Sequence, residues 1–368
     1  MKKVYTFDDV ALVPQYSDVE SRTEPDLSTW LTKTLTMKMP LLAANMDTVI
    51  SEELAKILID YGSIPIFHRF TTKEKKIEWL EKFGGSNIFL STGLVDNTND
   101  GELYELIIEY GARNICIDVA HGHSKRMMQM IEELKTTFQD LGKEFQIMAG
   151  NICTANAYID LVNAGADVVK IGIGCGAACT TRTVTGFGIS QFSAIQDCAE
   201  QAQKYRVPII ADGGIRGSAD IAKAMAAGAS SVMIGKLFAL TEESAAEKRN
   251  VINDYQSYFG LCRRGYREEE IRKEFAELFS NEAKYRGQAS EDFQNEFYGG
   301  LKDKTVAEGA SFWAPVTGSA KELIEQLLGG LRSSFTYGGA RSLKEFQRKA
   351  EFVIVSDTYA KEAGTRPE

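Results

Sequence analysis

The segment FQIMAGNICTANAYIDLVNAGADVVKIG (145–172) contains one complete unit of strand, helix and strand. Its two ends, FQIMAG and DVVKIG, are short apolar runs of the kind that form buried strands. Between them, Thr154 is a typical N-cap, apolar residues follow at helical spacing, and Gly165 is a typical helix end. Because strands that are joined through a helix usually lie parallel in one sheet, the segment predicts a parallel βαβ unit.

The same alternation extends along most of the chain. Similar helical patterns occur in SEELAKILIDYG (51–62), NTNDGELYELIIEYGA (97–112) and SADIAKAMAAGA (218–229). Further apolar runs with strand character are LLAAN (41–45), PIF (65–67), NIFLS (87–91), NICIDV (114–119), VPIIAD (207–212) and SVMIG (231–235). Eight such strands are the number that closes a (β/α)8 TIM barrel, and an open, doubly wound sheet is the alternative. No linker interrupts the pattern, so we expect a single α/β domain over residues 1–368.

The composition argues against several classes of partner. The 368 residues carry a formal net charge of −9, whereas a protein that binds nucleic acid needs basic surface to displace counterions. No segment approaches the length of apolar sequence that a membrane span needs. The six cysteines are scattered rather than spaced as a disulfide framework, which is typical of a reducing compartment. We therefore expect a cytoplasmic protein with free thiols and with neither a nucleic-acid nor a membrane partner.

Two stretches depart from the alternation of strands and helices. Residues 241–284 are charged and helical in pattern, and we interpret them as a solvated insertion after the eighth strand. Residues 286–313 are irregular and punctuated by glycine. Because long loops beside a barrel mouth are often functional, we interpret 286–313 as an active-site flap.

The loop after the sixth predicted strand, GIGCGAACTTR (172–182), carries the strongest chemical signal. Barrel active sites lie at the carboxyl ends of the strands, and the three glycines of this loop allow close approach to a ligand or an ion. Cys179 stands just before a predicted helix, whose dipole favours the thiolate. Cys179 is therefore a candidate nucleophile. The alternatives are a structural core thiol or, together with Cys175, a metal ligand, although no further Cys or His has zinc-site spacing.

The loops after the seventh and eighth strands are candidate phosphate-binding loops. The seventh strand ends in Asp212-Gly213-Gly214, where we expect glycine N–H groups at a helix start. The Asp212 carboxylate would repel a phosphate, so it suits the hydroxyls of a sugar instead. The eighth strand ends in Gly235-Lys236. His121 and His123 follow the fourth predicted strand. We expect them to lie in the core or to contact a cofactor rather than to be catalytic.

These segments together resemble the IMP dehydrogenase and GMP reductase family. The motifs that carry the resemblance are FDDVAL (7–12), AANMDTV (43–49), HRF (68–70), DVAHGHS (118–124), AGNICT (149–154), GIGCGAACTTR (172–182), ADGGIRGSADIAKAMAAGA (211–229), VMIG (232–235), YRGQAS (285–290), VAEG (306–309) and GGLRSSFTYGGA (329–340). The resemblance implies a (β/α)8 barrel, usually a homotetramer, that binds a purine 5′-monophosphate and a nicotinamide cofactor in the barrel mouth.

Within this family the chain is most similar to the reductase branch. Dehydrogenases generally carry an inserted pair of CBS domains after the second strand and an Arg-Tyr pair on the flap, and neither is found in this sequence. Phe297-Tyr298-Gly299-Gly300 resembles the Tyr-X-Gly-Gly of the reductases. The resemblance therefore implies NADPH-dependent reductive deamination of GMP to IMP and ammonia. A dehydrogenase without CBS domains and a nucleotide-binding barrel without turnover stay open.

The resemblance also assigns roles to individual residues. Cys179 would form the covalent thioimidate, and Thr181 with Glu308 would protonate the leaving ammonia, which requires a carboxyl whose pKa burial raises. Contacts to GMP or IMP are implied for Met46, Asp212, Gly213, Gly214, Gly235, Lys236, Gln288, Ala289 and Ser290. Contacts to NADPH are implied for Ser21, Arg22, Arg69, Asp118, Val119, Ala120, Ser333, Ser334, Phe335 and Thr336. A K⁺ ion would be held by the backbone of Gly174, Gly176 and Cys179, with Arg182 nearby.

The sequence departs from the family pattern at the phosphate end. Ala177 stands where the family commonly has a serine, so one hydroxyl donor is missing. Lys236 replaces a second glycine, and we expect its positive charge to compensate for that loss. Arg22 and Arg69 could pair with a 2′-phosphate, which favours NADP over NAD.

Overall fold

The computed structural model describes residues 1–94, 101–140, 142, 144–356 and 358–359. Its strands are β1 (Val10–Leu12), β2 (Thr29–Trp30), β3 (Thr36–Met37), β4 (Leu41–Ala43), β5 (Ile66–Phe67), β6 (Phe89–Thr92), β7 (Asn114–Asp118), β8 (Gln146–Ile152), β9 (Val168–Ile171), β10 (Ile209–Asp212), β11 (Ser231–Ile234), β12 (Lys248–Ile252), β13 (Phe279–Arg286), β14 (Ser311–Pro315) and β15 (Phe352–Ile354). Its α-helices are α1 (Glu52–Asp60), α2 (Lys73–Phe83), α3 (Gly101–Ile108), α4 (Lys125–Asp140), α5 (Ala155–Ala164), α6 (Thr181–Thr185), α7 (Gln191–Tyr205), α8 (Ser218–Ala226), α9 (Lys236–Ala239), α10 (Tyr255–Arg263), α11 (Glu268–Glu274), α12 (Glu291–Tyr298), α13 (Ala320–Tyr337) and α14 (Leu343–Lys349).

The eight predicted strands form one parallel sheet and confirm the (β/α)8 barrel. Their order is β4-β11-β10-β9-β8-β7-β6-β5. Of these eight strands, β11 comes last along the chain and β4 comes first, and the two pair with each other. This pairing curls the sheet almost into a closed barrel, which an open, doubly wound sheet would not do. The helices surround the barrel. Because all strands point the same way, the loops that follow them meet at one end.

The helix boundaries confirm most of the predicted caps. Ser51 and Thr154 accept hydrogen bonds from the third backbone N–H of α1 and α5, and Gly165 ends α5 at a φ of +115°. The helix α8 differs, because Gly217 is its N-cap and no side chain caps it. The start of the third predicted helical segment, residues 97–100, lies outside the described residues.

The core is one continuous apolar cluster within the barrel and between the barrel and its helices. Large side chains such as Phe67, Phe89 and Tyr158 are fully buried. Each stabilises the fold by roughly 1.5 to 3 kcal/mol through the apolar surface that it removes from water. Lys170, in the middle of β9, is an exception in this set because it is both charged and buried. All six cysteines are free thiols, as expected.

The segments 241–284 and 286–313 build a small antiparallel sheet beside the barrel. Its order is β12-β13-β14. The helices α10 and α11 lie in the connection between β12 and β13, so 241–284 contains strands as well as helices. The segment 286–313 contains α12 and the start of β14. Of the helices in the described part of the chain, none combines the length and apolarity that crossing a membrane requires.

Candidate active site

A cavity of about 360 Å³ lies at the carboxyl ends of the barrel strands. Its lining combines the loop after β9 with the ends of β4, β7, β10 and β11 and with the base of the flap. Of the residues singled out from the sequence, the cavity is lined by Met46, Arg69, Asp118, Val119, Ala120, Gly174, Gly176, Cys179, Thr181, Asp212, Gly213, Gly235, Gln288, Ala289 and Glu308. The barrel mouth therefore brings together residues that lie up to 262 positions apart along the chain.

Cys179 and Thr181 are in direct contact within this cavity. The Sγ of Cys179 donates a hydrogen bond to the Oγ1 of Thr181 across 3.1 Å. The short helix α6 begins at Thr181, so Cys179 lies one residue before its N-cap, Thr180. A thiol in contact with a hydroxyl is an arrangement that can supply a nucleophile and a proton donor to one reacting atom.

Glu308 is brought to Cys179 by backbone pairing rather than by proximity in sequence. The N–H of Thr180 donates to the carbonyl oxygen of Glu308 across 3.0 Å, and Ala310 donates to the carbonyl of Ala178 across 2.8 Å. These bonds form a short antiparallel bridge between Cys179 and Gly309. Within the described residues, the Glu308 carboxylate has no hydrogen-bond or ion-pair partner, and no hydrogen bond joins it to the Thr181 hydroxyl.

The loop that carries Cys179 is braced by Arg182. Its guanidinium donates to the carbonyl oxygens of Ile173 at 3.2 Å and Ile189 at 2.5 Å, on either side of the loop. Cys175, on the same loop, donates a hydrogen bond from its thiol to the backbone carbonyl of Asp212 across 3.0 Å. Burial raises the pKa of the Cys175 thiol to about 12, and the Asp212 carboxylate adds to the effect. Cys175 is therefore a neutral structural thiol.

No metal-binding side-chain cluster involves these cysteines. Among the described residues, there is no group of three or more His, Cys, Asp and Glu that could hold a metal ion. The carbonyl oxygens of Gly174, Gly176 and Cys179 are the hard donors that a K⁺ ion prefers, although that of Gly176 already accepts from the N–H of Cys179 at 3.0 Å.

The floor of the cavity contains two polar residues that the sequence analysis missed. Lys170 donates from its Nζ to Asp118 at 2.8 Å and to Asp212 at 2.9 Å. Asn151 donates to the same oxygen of Asp212 at 2.9 Å, and its own Oδ1 is buried with no hydrogen-bond partner among the described residues. The signal was present in DVVKIG, where a lysine interrupts an apolar strand.

Glycine is favoured after β10 and after β11 for two different reasons, the backbone conformation and the space available for a side chain. A Cβ atom on Gly235 would lie 2.5 Å from the hydroxyl oxygen of Tyr285, so a larger residue would collide there. Gly213 has a φ of +90°, which favours glycine. The sequence predicted a free N–H at Gly213, and this prediction is wrong. The N–H donates to the carbonyl of Met233 at 3.2 Å, and α8 begins only at Ser218.

The remaining residues singled out for the nucleotide lie outside the cavity lining. Gly214 and Lys236 belong to the two candidate phosphate loops but do not line the cavity, and Lys236 is exposed with its ammonium 5.5 Å from the ring of Phe312. Ser290 is buried and caps α12 through its hydroxyl oxygen.

The residues that match cofactor contacts form two separate groups. Arg69, Asp118, Val119 and Ala120 line the cavity. Ser21, Arg22 and the four residues Ser333, Ser334, Phe335 and Thr336 do not. The second group lies where the segment after β1 meets the end of α13, a junction held by Arg341, which pairs with Asp18 at 2.8 Å and with Glu24 at 3.4 Å.

A buried ion pair ties the flap to the barrel. Arg286, at the end of β13, binds Asp47 through two nitrogens, at 2.9 and 2.5 Å, and binds Glu296 on α12 at 2.5 Å. Burial raises the pKa of Asp47, although Arg286 opposes this. Beside the pair, the side chain of Gln288 donates to the carbonyl of Asn45 across 2.9 Å. The base of the flap is therefore fixed to the loop after β4.

Comparison with known proteins confirms the resemblance. The model of the IMP dehydrogenase / GMP reductase domain matches residues 4–366. The GMP reductase of Helicobacter pylori is 36% identical over 97% of this chain and 98% of its own length. Human GMP reductase 2 is 33% identical over 95% of this chain and 94% of its own.

Relatives named as inosine-5′-monophosphate dehydrogenases match this chain equally well. The inosine-5′-monophosphate dehydrogenase of Cryptosporidium parvum is 34% identical over 98% of this chain and 94% of its own length. Because so little of that dehydrogenase is left unmatched, the absence of a large insertion does not by itself separate the two branches. The cavity, its Cys179 loop and the match over nearly the whole chain all agree, and this protein belongs to the IMP dehydrogenase / GMP reductase family of NAD(P)-dependent oxidoreductases that bind purine nucleotides.

Proposed function

We propose that this chain is a GMP reductase that converts GMP to IMP and ammonia with NADPH. The observation that carries the proposal is the composition of the flap at the point where it meets Cys179. The backbone carbonyl of Glu308 accepts from Thr180, Glu308 lines the same cavity as Cys179, and residues 290–308 contain no arginine. A dehydrogenase needs a group that activates water at this place, whereas a reductase needs an acid for the leaving amine.

The chain's own residues account for the covalent steps. The Cys179 thiolate attacks C2 of the guanine ring, and the bond from C2 to the amino nitrogen breaks after that nitrogen is protonated. Thr181, in contact with Cys179, and Glu308 are the proposed proton donors. The nicotinamide cofactor, when bound, supplies the hydride to C2. The carbon–sulfur bond then breaks, which releases IMP and restores the thiolate.

Binding would divide along the cavity. We assign the ribose hydroxyls to Asp212 and the purine to the backbone of Gln288 and Ala289, while Gly213 and Gly235 allow close approach. Arg69 and Asp118 would hold the cofactor on the other side. The fit is supported by the Nε of Arg69, which is buried without a partner in the described structure. Arg69 also supports NADPH over NADH, since its charge suits a phosphate.

The assembly proposal follows from the two groups of cofactor positions. Ser21, Arg22 and residues 333–336 lie outside the cavity of their own chain. In a homotetramer, which we propose, a neighbouring copy would present this second group to the cofactor. A K⁺ ion at the carbonyls of Gly174, Gly176 and Cys179 is a further part of the proposal and would stabilise the loop rather than take part in a step.

The deciding experiment is a steady-state assay in both directions with both cofactors. We expect oxidation of NADPH with GMP and release of IMP and ammonia, with no reduction of NAD in the presence of IMP. Turnover of IMP with NAD alone would overturn the proposal. It would establish the dehydrogenase alternative, which the Cryptosporidium relative favours.

A nucleotide-binding barrel without turnover is the candidate from another class. C179A should abolish turnover and leave GMP binding measurable, because the thiol forms a bond only during the reaction. C262S is a matched control, since Cys262 is exposed on α10. Wild-type protein that binds GMP but turns over neither nucleotide would establish the non-catalytic alternative.

A further inference from the structure

Lys170 is a charged residue in the middle of an apolar strand. It lies on β9 between Val169 and Ile171, and only 2% of its side chain is exposed. Burying an ammonium costs several kcal/mol unless carboxylates compensate. Here the Nζ lies 2.8 Å from Oδ1 of Asp118 on β7 and 2.9 Å from Oδ2 of Asp212 on β10. Burial alone would lower the pKa of Lys170, but the two carboxylates outweigh it and raise the pKa.

Two other titratable groups lie beside this cluster, and burial disfavours the charged form of each. Burial raises the pKa of Cys116, beside Lys170 on β7, to about 12. Burial likewise raises the pKa of Tyr285, the phenol nearest to Asp212. Lys170, Asp118 and Asp212 together carry a formal net charge of −1, from one ammonium and the two carboxylates that pair with it.

Each carboxylate uses only one oxygen for Lys170. Asn151 shares the Oδ2 of Asp212, and within the described residues Oδ1 of Asp212 and Oδ2 of Asp118 have no partner. Both free oxygens belong to residues that line the cavity. They are therefore available to accept hydrogen bonds from the hydroxyls of a ligand.

We propose that Lys170 is a positioning residue that joins the two halves of the site. Its ammonium holds one oxygen of Asp118, on the cofactor side, and one oxygen of Asp212, on the ribose side, so that the second oxygen of each carboxylate stays free for a ligand. The role rests on the proposed function, because it assumes that a purine nucleotide and a nicotinamide cofactor occupy those two sides. Without Lys170, two half-buried carboxylates would face each other across the cavity floor, and their repulsion would disfavour the arrangement that accepts ribose hydroxyls.

The test restores the charge rather than the lysine. K170M leaves a net charge of −2 in the cluster, whereas K170M combined with D118N returns it to −1. Binding of GMP and, separately, of IMP is measured by calorimetry without any cofactor, for the wild type, K170M, D118N and the double variant. We expect K170M to weaken nucleotide binding at least tenfold. The double variant should recover about tenfold over K170M, because Asp212 is then no longer opposed by a second carboxylate.

If the role of Lys170 is purely structural, the double variant is expected to bind nucleotide no more tightly than K170M. The second substitution would then only remove one more interaction, and this outcome would overturn the proposal. K135M is the matched control, because Lys135 pairs with Asp167 at 2.5 Å just before β9, at the other end of the same strand. It should bind nucleotide within about twofold of the wild type.

Two further outcomes are decisive. If K170M does not fold, as judged by circular dichroism, the double variant is compared with D118N alone. We then expect a folded protein that binds nucleotide within about tenfold of D118N, and failure to fold or to bind would contradict the proposal. A wild type that binds neither GMP nor IMP would overturn the proposed function and this inference together. Normal binding by K170M would overturn this inference alone.

Discussion

The Sγ of Cys179 and the Oγ1 of Thr181 are 3.1 Å apart, with the thiol as the hydrogen-bond donor. Because the hydroxyl oxygen accepts from the thiol, the hydroxyl proton of Thr181 is left to donate to another group. The backbone carbonyl of Glu308, on the flap, accepts from the N–H of Thr180 on the Cys179 loop. A thiol, a hydroxyl and an acidic residue therefore line one cavity that two distant chain segments build.

The first prediction concerns the Thr181 hydroxyl. T181V removes it and keeps the shape of the side chain, so we expect kcat to fall by about 10² to 10⁴ because the leaving amine loses its proton donor. The affinity for GMP should change little. T183V is the control, since the hydroxyl of Thr183 on the same helix only bonds to the carbonyl of Thr180. Equal losses of kcat in both variants would show that the helix, and not the hydroxyl, is responsible.

The second prediction concerns the ion pair under the flap. Arg286 and Asp47 have only 8% and 9% of their side chains exposed. R286M leaves Asp47 buried without a counter-charge, and we expect the free energy of unfolding in urea to fall by about 3 to 5 kcal/mol. E296Q should cost less than about 1 kcal/mol, because the Glu296 side chain is 59% exposed. Similar losses for the two variants would contradict this account.

The third prediction concerns the dependence of stability on pH. Burial lowers the pKa of His68 to about 4, and Lys76 adds to the effect. The Nδ1 of His68 accepts from the N–H of Phe70 at 3.2 Å, which also requires the neutral ring. The unfolded chain, with a pKa near 6.5, binds the proton first. The contribution of His68 is therefore full above about pH 6.5 and is lost as the pH falls towards 4.

The check is urea unfolding of the wild type and H68N at pH 7 and pH 5. Between these values the wild type should lose about 2 kcal/mol more stability than H68N does. Equal losses in the two proteins would mean that His68 is protonated alike in the folded and the unfolded chain.

The fourth prediction concerns the phosphate end of the proposed GMP site. Lys236 follows β11 and Ala177 lies on the Cys179 loop. If Lys236 compensates for the missing serine hydroxyl, K236A should weaken GMP binding by about three- to tenfold, and more at low than at high salt. A177S should strengthen binding of GMP but not of guanosine, which lacks the phosphate. Unchanged GMP affinity in K236A would refute the compensation.

The fold was largely predictable from the sequence because it depends on local patterns. Apolar runs of three to six residues with capped helical stretches between them mark each βα unit, and parallel units can close only in a few ways. Part of the site was predictable for the same reason. Asp212 ends β10 and Cys179 lies in the loop that follows β9, and strand ends converge in a barrel.

The rest of the site depends on contacts between distant segments. Glu308 contacts Thr180 through a backbone hydrogen bond that no sequence pattern in either segment predicts. Lys170 looks like an anomaly in an apolar strand until the fold brings Asp118 and Asp212 to it. The sequence also could not predict that the residues matched to the cofactor fall into two groups. Their order along the chain does not tell which of them line the same cavity.

The backbone bridge between the flap and the Cys179 loop has a consequence for the timing of turnover. The bonds that hold the flap against the loop, from Thr180 to Glu308 and from Ala310 to Ala178, are made by the backbone of Glu308 and its neighbours. A flap that lifts to let product leave must break them. On the proposed function, product release would therefore also withdraw Glu308 from the Cys179 loop, so that one set of backbone hydrogen bonds would govern both the opening of the site and the position of its proton donor.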